Sequence, residues 1–163
     1  MPASASLGAP ILACMLASIV FATPVRILGL RPPEPVFALV PAFAWGMMRP
    51  SIWPPVALVG LGLFLDLLWG APMGLWPFCL LSAYALTFAV RRVLSGQEFW
   101  ALWGWYVAAC GLAMTCGLVL MGLRAGHLPS IIGAGWQFAI SATLFPFAWR
   151  LVERYQDADA RFR

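Results

Sequence analysis

The chain has 163 residues, of which 63% are hydrophobic and only 10% charged, with a mean hydropathy of +0.87. A soluble domain carries roughly 25% charged residues, so the composition is that of an integral membrane protein. Ten basic residues, all arginine, against six acids give a net charge of +4, but the arginines are scattered between apolar runs and form no basic patch with interleaved aromatics, which excludes a nucleic-acid interface.

A bilayer core of about 30 Å needs about 20 apolar residues per helix, and the sequence predicts six spans at 7–23, 35–48, 52–70, 75–90, 99–123 and 129–149. The first is read as an uncleaved span: its flank lacks Lys and Arg, and Cys14, although preceded by Ile-Leu-Ala, has no charged or apolar segment ahead of it that would make a lipoprotein cleavage box. The second, with Pro41 inside it, is short and is counted as a span, with a kinked or re-entrant segment as the other readings. The third opens on Pro54-Pro55 and carries Asp66. Residues 150–163 are expected to form a juxtamembrane cytoplasmic tail, and the whole chain one membrane domain, a compact all-α bundle of six transmembrane helices.

Arginine placement sets the expected orientation. With the N-terminus inside, cytoplasmic segments hold Arg49, Arg91, Arg92, Arg150, Arg154, Arg161 and Arg163, and outer loops hold Arg26, Arg31 and Arg124, which places both termini in the cytoplasm. Tryptophans 53, 69, 76, 100, 103 and 149 fall near span ends, where an amphipathic ring suits the headgroup region. Small residues three and four apart form stripes: Pro55, Val59, Gly62, Asp66 and Gly70 on the third span; Ala101, Gly104, Ala108, Gly111, Thr115 and Gly122 on the fifth; Ser130, Ala134, Gln137 and Ser141 on the sixth. Small faces let backbones approach closely, so these three spans are expected to pack against one another or against a partner's helix.

Asp66 is the only acid inside the apolar runs. A carboxylate at helix centre costs about 2.5–3.5 kcal/mol on insertion scales, which demands a partner or a task. Gly70-Ala-Pro72-Met-Gly74 follows it, a glycine–proline corner between two helices rather than a dimerisation face. Asp66 is therefore expected to accept from N–H groups at the start of the next helix, to pair with Arg31 or Arg124, or to line a ligand or ion site. Catalytic chemistry is poorly served: one carboxylate is too few for an aspartyl dyad, the single His127 lies in an expected outer loop, there is no lysine, and Cys14, Cys79, Cys110 and Cys116 form neither a C-x-x-C pair nor a zinc pattern. No enzyme, cofactor or metal is expected.

The stretch Gly62-Leu-Phe-Leu-Asp66-Leu-Leu-Trp-Gly70-Ala-Pro72-Met-Gly74, preceded by Arg31-Pro-Pro-Glu-Pro35 and followed near the end by Leu144-Phe-Pro146-Phe-Ala-Trp-Arg150, resembles the rod shape-determining protein MreD family. The resemblance covers nearly the whole chain in length and layout, and its specific part is Asp66 to Gly74; Pro54-Pro55 departs from many relatives. It implies a non-enzymatic scaffold of the bacterial inner membrane that works in the cell-elongation complex with an MreC-like bitopic protein, MreB filaments, a RodA-type glycosyltransferase and a class B penicillin-binding protein. It also implies an architecture similar to the substrate-binding membrane subunits of energy-coupling factor transporters. A small-molecule binding or transport subunit, with Asp66 and Gln137 lining a crevice, is the alternative. Asp66, Gly62, Gly70, Pro72, Gly74, Arg31, Gly111 and Gln137 are the candidate structural or interaction residues, with membrane lipids around them.

Overall fold

The computed structural model describes residues 11–19, 35–47, 51–125 and 131–160. Among these, all regular structure is helical: α1 (residues 11–19), α2 (Leu39–Gly46), α3 (Trp53–Trp69), α4 (Leu75–Leu94), α5 (Phe99–Ala125), α6 (Ile131–Ala142) and α7 (Phe145–Ala160). Helices α4 and α5 are long and apolar enough to cross a membrane, and α3 is apolar but shorter.

Helix α4 is the centre of the packing. α2, α3 and α5 all lie against it, α7 covers α2, and α6 leans on α5. Two glycines make the closest seams. A Cβ on Gly46 would fall 2.7 Å from Thr87 Cβ and 3.1 Å from the Tyr84 carbonyl oxygen, so α2 meets α4 almost backbone to backbone. Gly62 plays the same part between α3 and α4, where a Cβ would come within 2.6 Å of Pro77 Cα.

The described part of the run 35–48 is a single helix of eight residues, α2, and every one of them is buried. At 1.5 Å per residue it is about 12 Å long, less than half of a hydrocarbon core. It acts as a plug inside the bundle. The aromatic rings of Phe43, Tyr106 and Phe145 meet around it at centroid distances of 5.3 to 6.4 Å, and Cys14 of α1 directs its thiol to the Phe37 carbonyl at 3.6 Å.

Pro54 and Pro55 stand in the first turn of α3, where a missing N–H costs nothing and the fixed φ suits a helix start. The double proline thus opens the helix instead of bending it. Helix α4 runs four residues past the expected end at Val90, because Arg91 and Arg92 are good helix formers whose charge complements the C-terminal dipole.

The run 129–149 was expected to be one span, but it breaks into α6 and α7 at Thr143–Leu144. Pro146 is the cause: inside a continuous helix it would remove the bond to the Ala142 carbonyl and clash with it. The turn tightens, with the Thr143 N–H shared between the Ala139 (3.3 Å) and Ile140 (3.1 Å) carbonyls. Ser141, just before the break, is fully buried and joins three segments: its hydroxyl accepts from the Val36 N–H and its carbonyl accepts from the Tyr106 hydroxyl, both at 3.1 Å. Ser141→Ala leaves a buried N–H without an acceptor and is expected to cost about 1–3 kcal/mol. Tyr106→Phe is expected to cost about 1 kcal/mol, because the same carbonyl still accepts from the Leu144 N–H. Thermal melting of the detergent-solubilised variants checks the order, with Ser141→Ala the less stable.

The expected meeting of the third, fifth and sixth spans is found in part: α6 packs on α5, as expected, but the third span lies elsewhere. α3 packs on α4, while the buried face of α5 is Leu102, Tyr106, Ala109, Cys110 and Ala113. Gly104, Ala108 and Thr115 of the small stripe are exposed instead. The stripe lost the competition for the interior to a neighbouring face that offers larger side chains and therefore more apolar area to bury.

Candidate functional site

The corner between α3 and α4 is built almost entirely by Asp66. Its own carbonyl ends α3: the Ala71 N–H donates to it at 2.9 Å, across Gly70, whose φ of 62° is the left-handed conformation that glycine adopts without strain. Its side chain starts α4: Oδ2 accepts from the Gly74 N–H at 2.7 Å and Oδ1 from the Trp76 N–H at 3.0 Å. One residue closes one helix and opens the next.

An α-helix leaves its first four N–H groups without intrahelical partners. Around the start of α4 each is accounted for: Gly74 and Trp76 donate to Asp66, Leu75 donates to the Pro72 carbonyl at 3.1 Å, and Pro77 has no N–H. Phe78 then makes the first regular helix bond, to Gly74 at 3.2 Å. The carboxylate also faces the positive end of the α4 dipole, which favours negative charge.

Asp66 is only 1% exposed, and Trp69 and Trp76 meet edge to face at 4.8 Å in the same corner. These rings keep water away, which strengthens the two charge-assisted bonds. The shielding leaves the Trp69 indole N–H buried without a hydrogen-bond partner among the described residues.

Of the other candidates, Gly62 belongs to the same construction, since its missing side chain admits Pro77 and thereby brings the α4 start within reach of Asp66. Gly70, Pro72 and Gly74 form the turn itself, with Gly74 also left-handed at φ 92°. Gly111 is elsewhere: it faces α6, where its Cβ would make an ordinary 3.7 Å contact with Phe138. Gln137 is half-buried on α6, a helix that packs on α5. Arg31 and the side chain of Arg124 lie outside the described residues.

Sequence reasoning missed Gly46, Pro77, Tyr106 and, as a junction rather than a stripe member, Ser141. Pro77 was the readable one: a proline three residues after Gly74 fits only the first turn of a helix, and that fixes where α4 starts.

The chain matches no family model, and no curated protein or solved structure is significantly similar to it.

Proposed function

We propose that this protein is a multi-pass, non-enzymatic component of the bacterial inner membrane, with its C-terminus in the cytoplasm, that serves as an MreD-type scaffold of the cell-elongation complex. In this reading it gathers a bitopic protein of the MreC kind, MreB filaments and the peptidoglycan synthases of lateral wall growth. One observation carries the reading. The segment of the chain that most resembles the family, Gly62 to Gly74, is a closed clamp in which both carboxylate oxygens of Asp66 are already bonded to backbone N–H groups.

A carboxylate so engaged holds two helices together and is poorly placed to bind a solute or carry a proton, which weighs against the transport alternative. The exposed side of α5, with Gly104 and Ala108 flanked by Trp103 and Leu112, offers a surface of the kind on which a partner's transmembrane helix packs closely. Gly104 tests it cleanly, because nothing among the described residues lies within 4 Å of where its Cβ would be.

The experiment is affinity purification in mild detergent. The unaltered protein is expected to recover the bitopic partner and a wall synthase, and Gly104→Leu is expected to lose most of that recovery at an unchanged melting temperature. Recovery of an ATPase cassette in place of these proteins would replace the scaffold by the transport subunit. Full partner recovery with Gly104→Leu would remove α5 from the binding faces.

A further inference from the structure

At the end of α4 opposite Asp66, Arg91 and Arg92 occupy the last turn, and after a short turn α5 begins at Phe99. The Phe99 ring lies 4.9 Å from Phe145 and 5.5 Å from Trp149, which holds the start of α7 against the same corner and brings Arg150 to it directly after Trp149. Three guanidinium groups therefore gather at one end of the bundle, opposite the Gly70–Gly74 corner.

Their settings differ. Arg91 lies over the Phe88 ring at 4.3 Å from its centroid, a cation–π contact that fixes its direction. Arg92 and Arg150 are exposed and make no ion pair among the described residues, although the exposed acids Glu98 and Glu153 are close in sequence. Beside them Val93 is 58% and Trp100 72% exposed, so apolar surface and an indole border the charges.

The carbonyls at the end of α4 do not oppose an anion here, since Arg91 O accepts from the Ser95 N–H (3.0 Å), Arg92 O from the Ser95 hydroxyl (2.9 Å) and Leu94 O from the Gln97 N–H (3.2 Å). The N-terminal end of α5, which favours negative charge, opens into the same corner.

We propose that the α4–α5 corner binds the phosphate headgroup of an anionic phospholipid in the cytoplasmic leaflet. Arg92 and Arg150 take the phosphate oxygens, Arg91 supplies a fixed third charge, and Trp100 and Val93 lie along the glycerol and upper acyl region. Guanidinium groups match phosphate oxygens with paired donors, and an exposed tryptophan at such a corner suits the interface between headgroup and chain. The proposal rests on the membrane placement and orientation given above, and not on any protein partner.

The test uses the full chain purified in detergent, titrated with phosphatidylglycerol, with phosphatidylcholine of the same acyl chains, and with inorganic phosphate, and read by the shift in melting temperature. Phosphatidylglycerol is expected to stabilise the protein saturably and phosphatidylcholine not to. A basic side chain near an anionic surface is worth about fivefold in affinity, so Arg92→Gln with Arg150→Gln should weaken the phosphatidylglycerol titration about 25-fold. Each single variant should weaken it about fivefold, which keeps the test in force if the double variant folds poorly. An equal response to phosphatidylcholine, an unchanged titration in the variants, or the same stabilisation by inorganic phosphate alone overturns the proposal. Recovery of the protein from cells in the soluble fraction without detergent would overturn the membrane reading as well. Failure to recover a bitopic partner would count against the scaffold alone and leave the lipid site standing.

Discussion

Gly62→Leu is expected to separate α3 from α4 and to be the most damaging single substitution in the bundle. The reason is what the new side chain would meet. A Cβ at position 62 would lie 2.6 Å from Pro77 Cα and 2.8 Å from Pro77 Cδ, and neither the backbone nor a proline ring can swing aside as the end of a flexible chain does. Overpacking a core commonly costs about 1–3 kcal/mol. Here the cost should reach or pass the upper end, because moving Pro77 away also draws the α4 start from Asp66 and loosens both carboxylate bonds. Gly60→Leu is the paired control: it sits on the same helix, two residues away, with nothing among the described residues within 4 Å of its Cβ. Melting of the two purified variants should show Gly62→Leu strongly destabilised and Gly60→Leu near the unaltered protein. Similar melting of the two would mean that α3 does not approach α4 through Gly62.

Much of this construction could be read from the sequence because it is local. Asp66, Gly70, Pro72, Gly74 and Pro77 lie within twelve residues, and each has a narrow conformational or bonding role that its chemistry announces. A buried acid needs donors, glycine tolerates positive φ, and proline marks a first turn. What could not be read was the rotation of each helix about its axis. On α5 nearly every residue is apolar, so small residues and large ones offer competing faces, and the interior took the face carrying Tyr106. Hydropathy also gave the length of an apolar run without its continuity: Pro146 splits the last run, and α2 stays a buried fragment of eight residues. The Ser141 junction depends on Val36, 105 residues away in the chain, and no local pattern reports a contact at that distance.

Asp66→Asn is expected to be intermediate and Asp66→Leu severe, and the geometry says why the two should differ. The two carboxylate oxygens serve two separate donors, the buried Trp76 N–H at 3.0 Å and the partly buried Gly74 N–H at 2.7 Å. Asparagine keeps one acceptor. Its oxygen should go to Trp76, whose N–H has the worse alternative, while the Gly74 N–H at the rim turns toward water. The expected cost is about 1–3 kcal/mol, one charged hydrogen bond exchanged for a weaker neutral one and the other lost. Leucine has the same branched shape with somewhat larger ends and no acceptor, so both N–H groups lose their carboxylate and the loss should be about 3 kcal/mol or more. Melting of the detergent-solubilised proteins measures that order directly, and, on the proposed scaffold function, complementation of cell shape at equal expression measures it in function. If Asp66 carried charge for ion or proton coupling, asparagine would abolish function as completely as leucine while keeping much of the stability. Graded stability with graded function supports the clamp. Graded stability with equal and complete loss of function would sink it and return Asp66 to the transport reading.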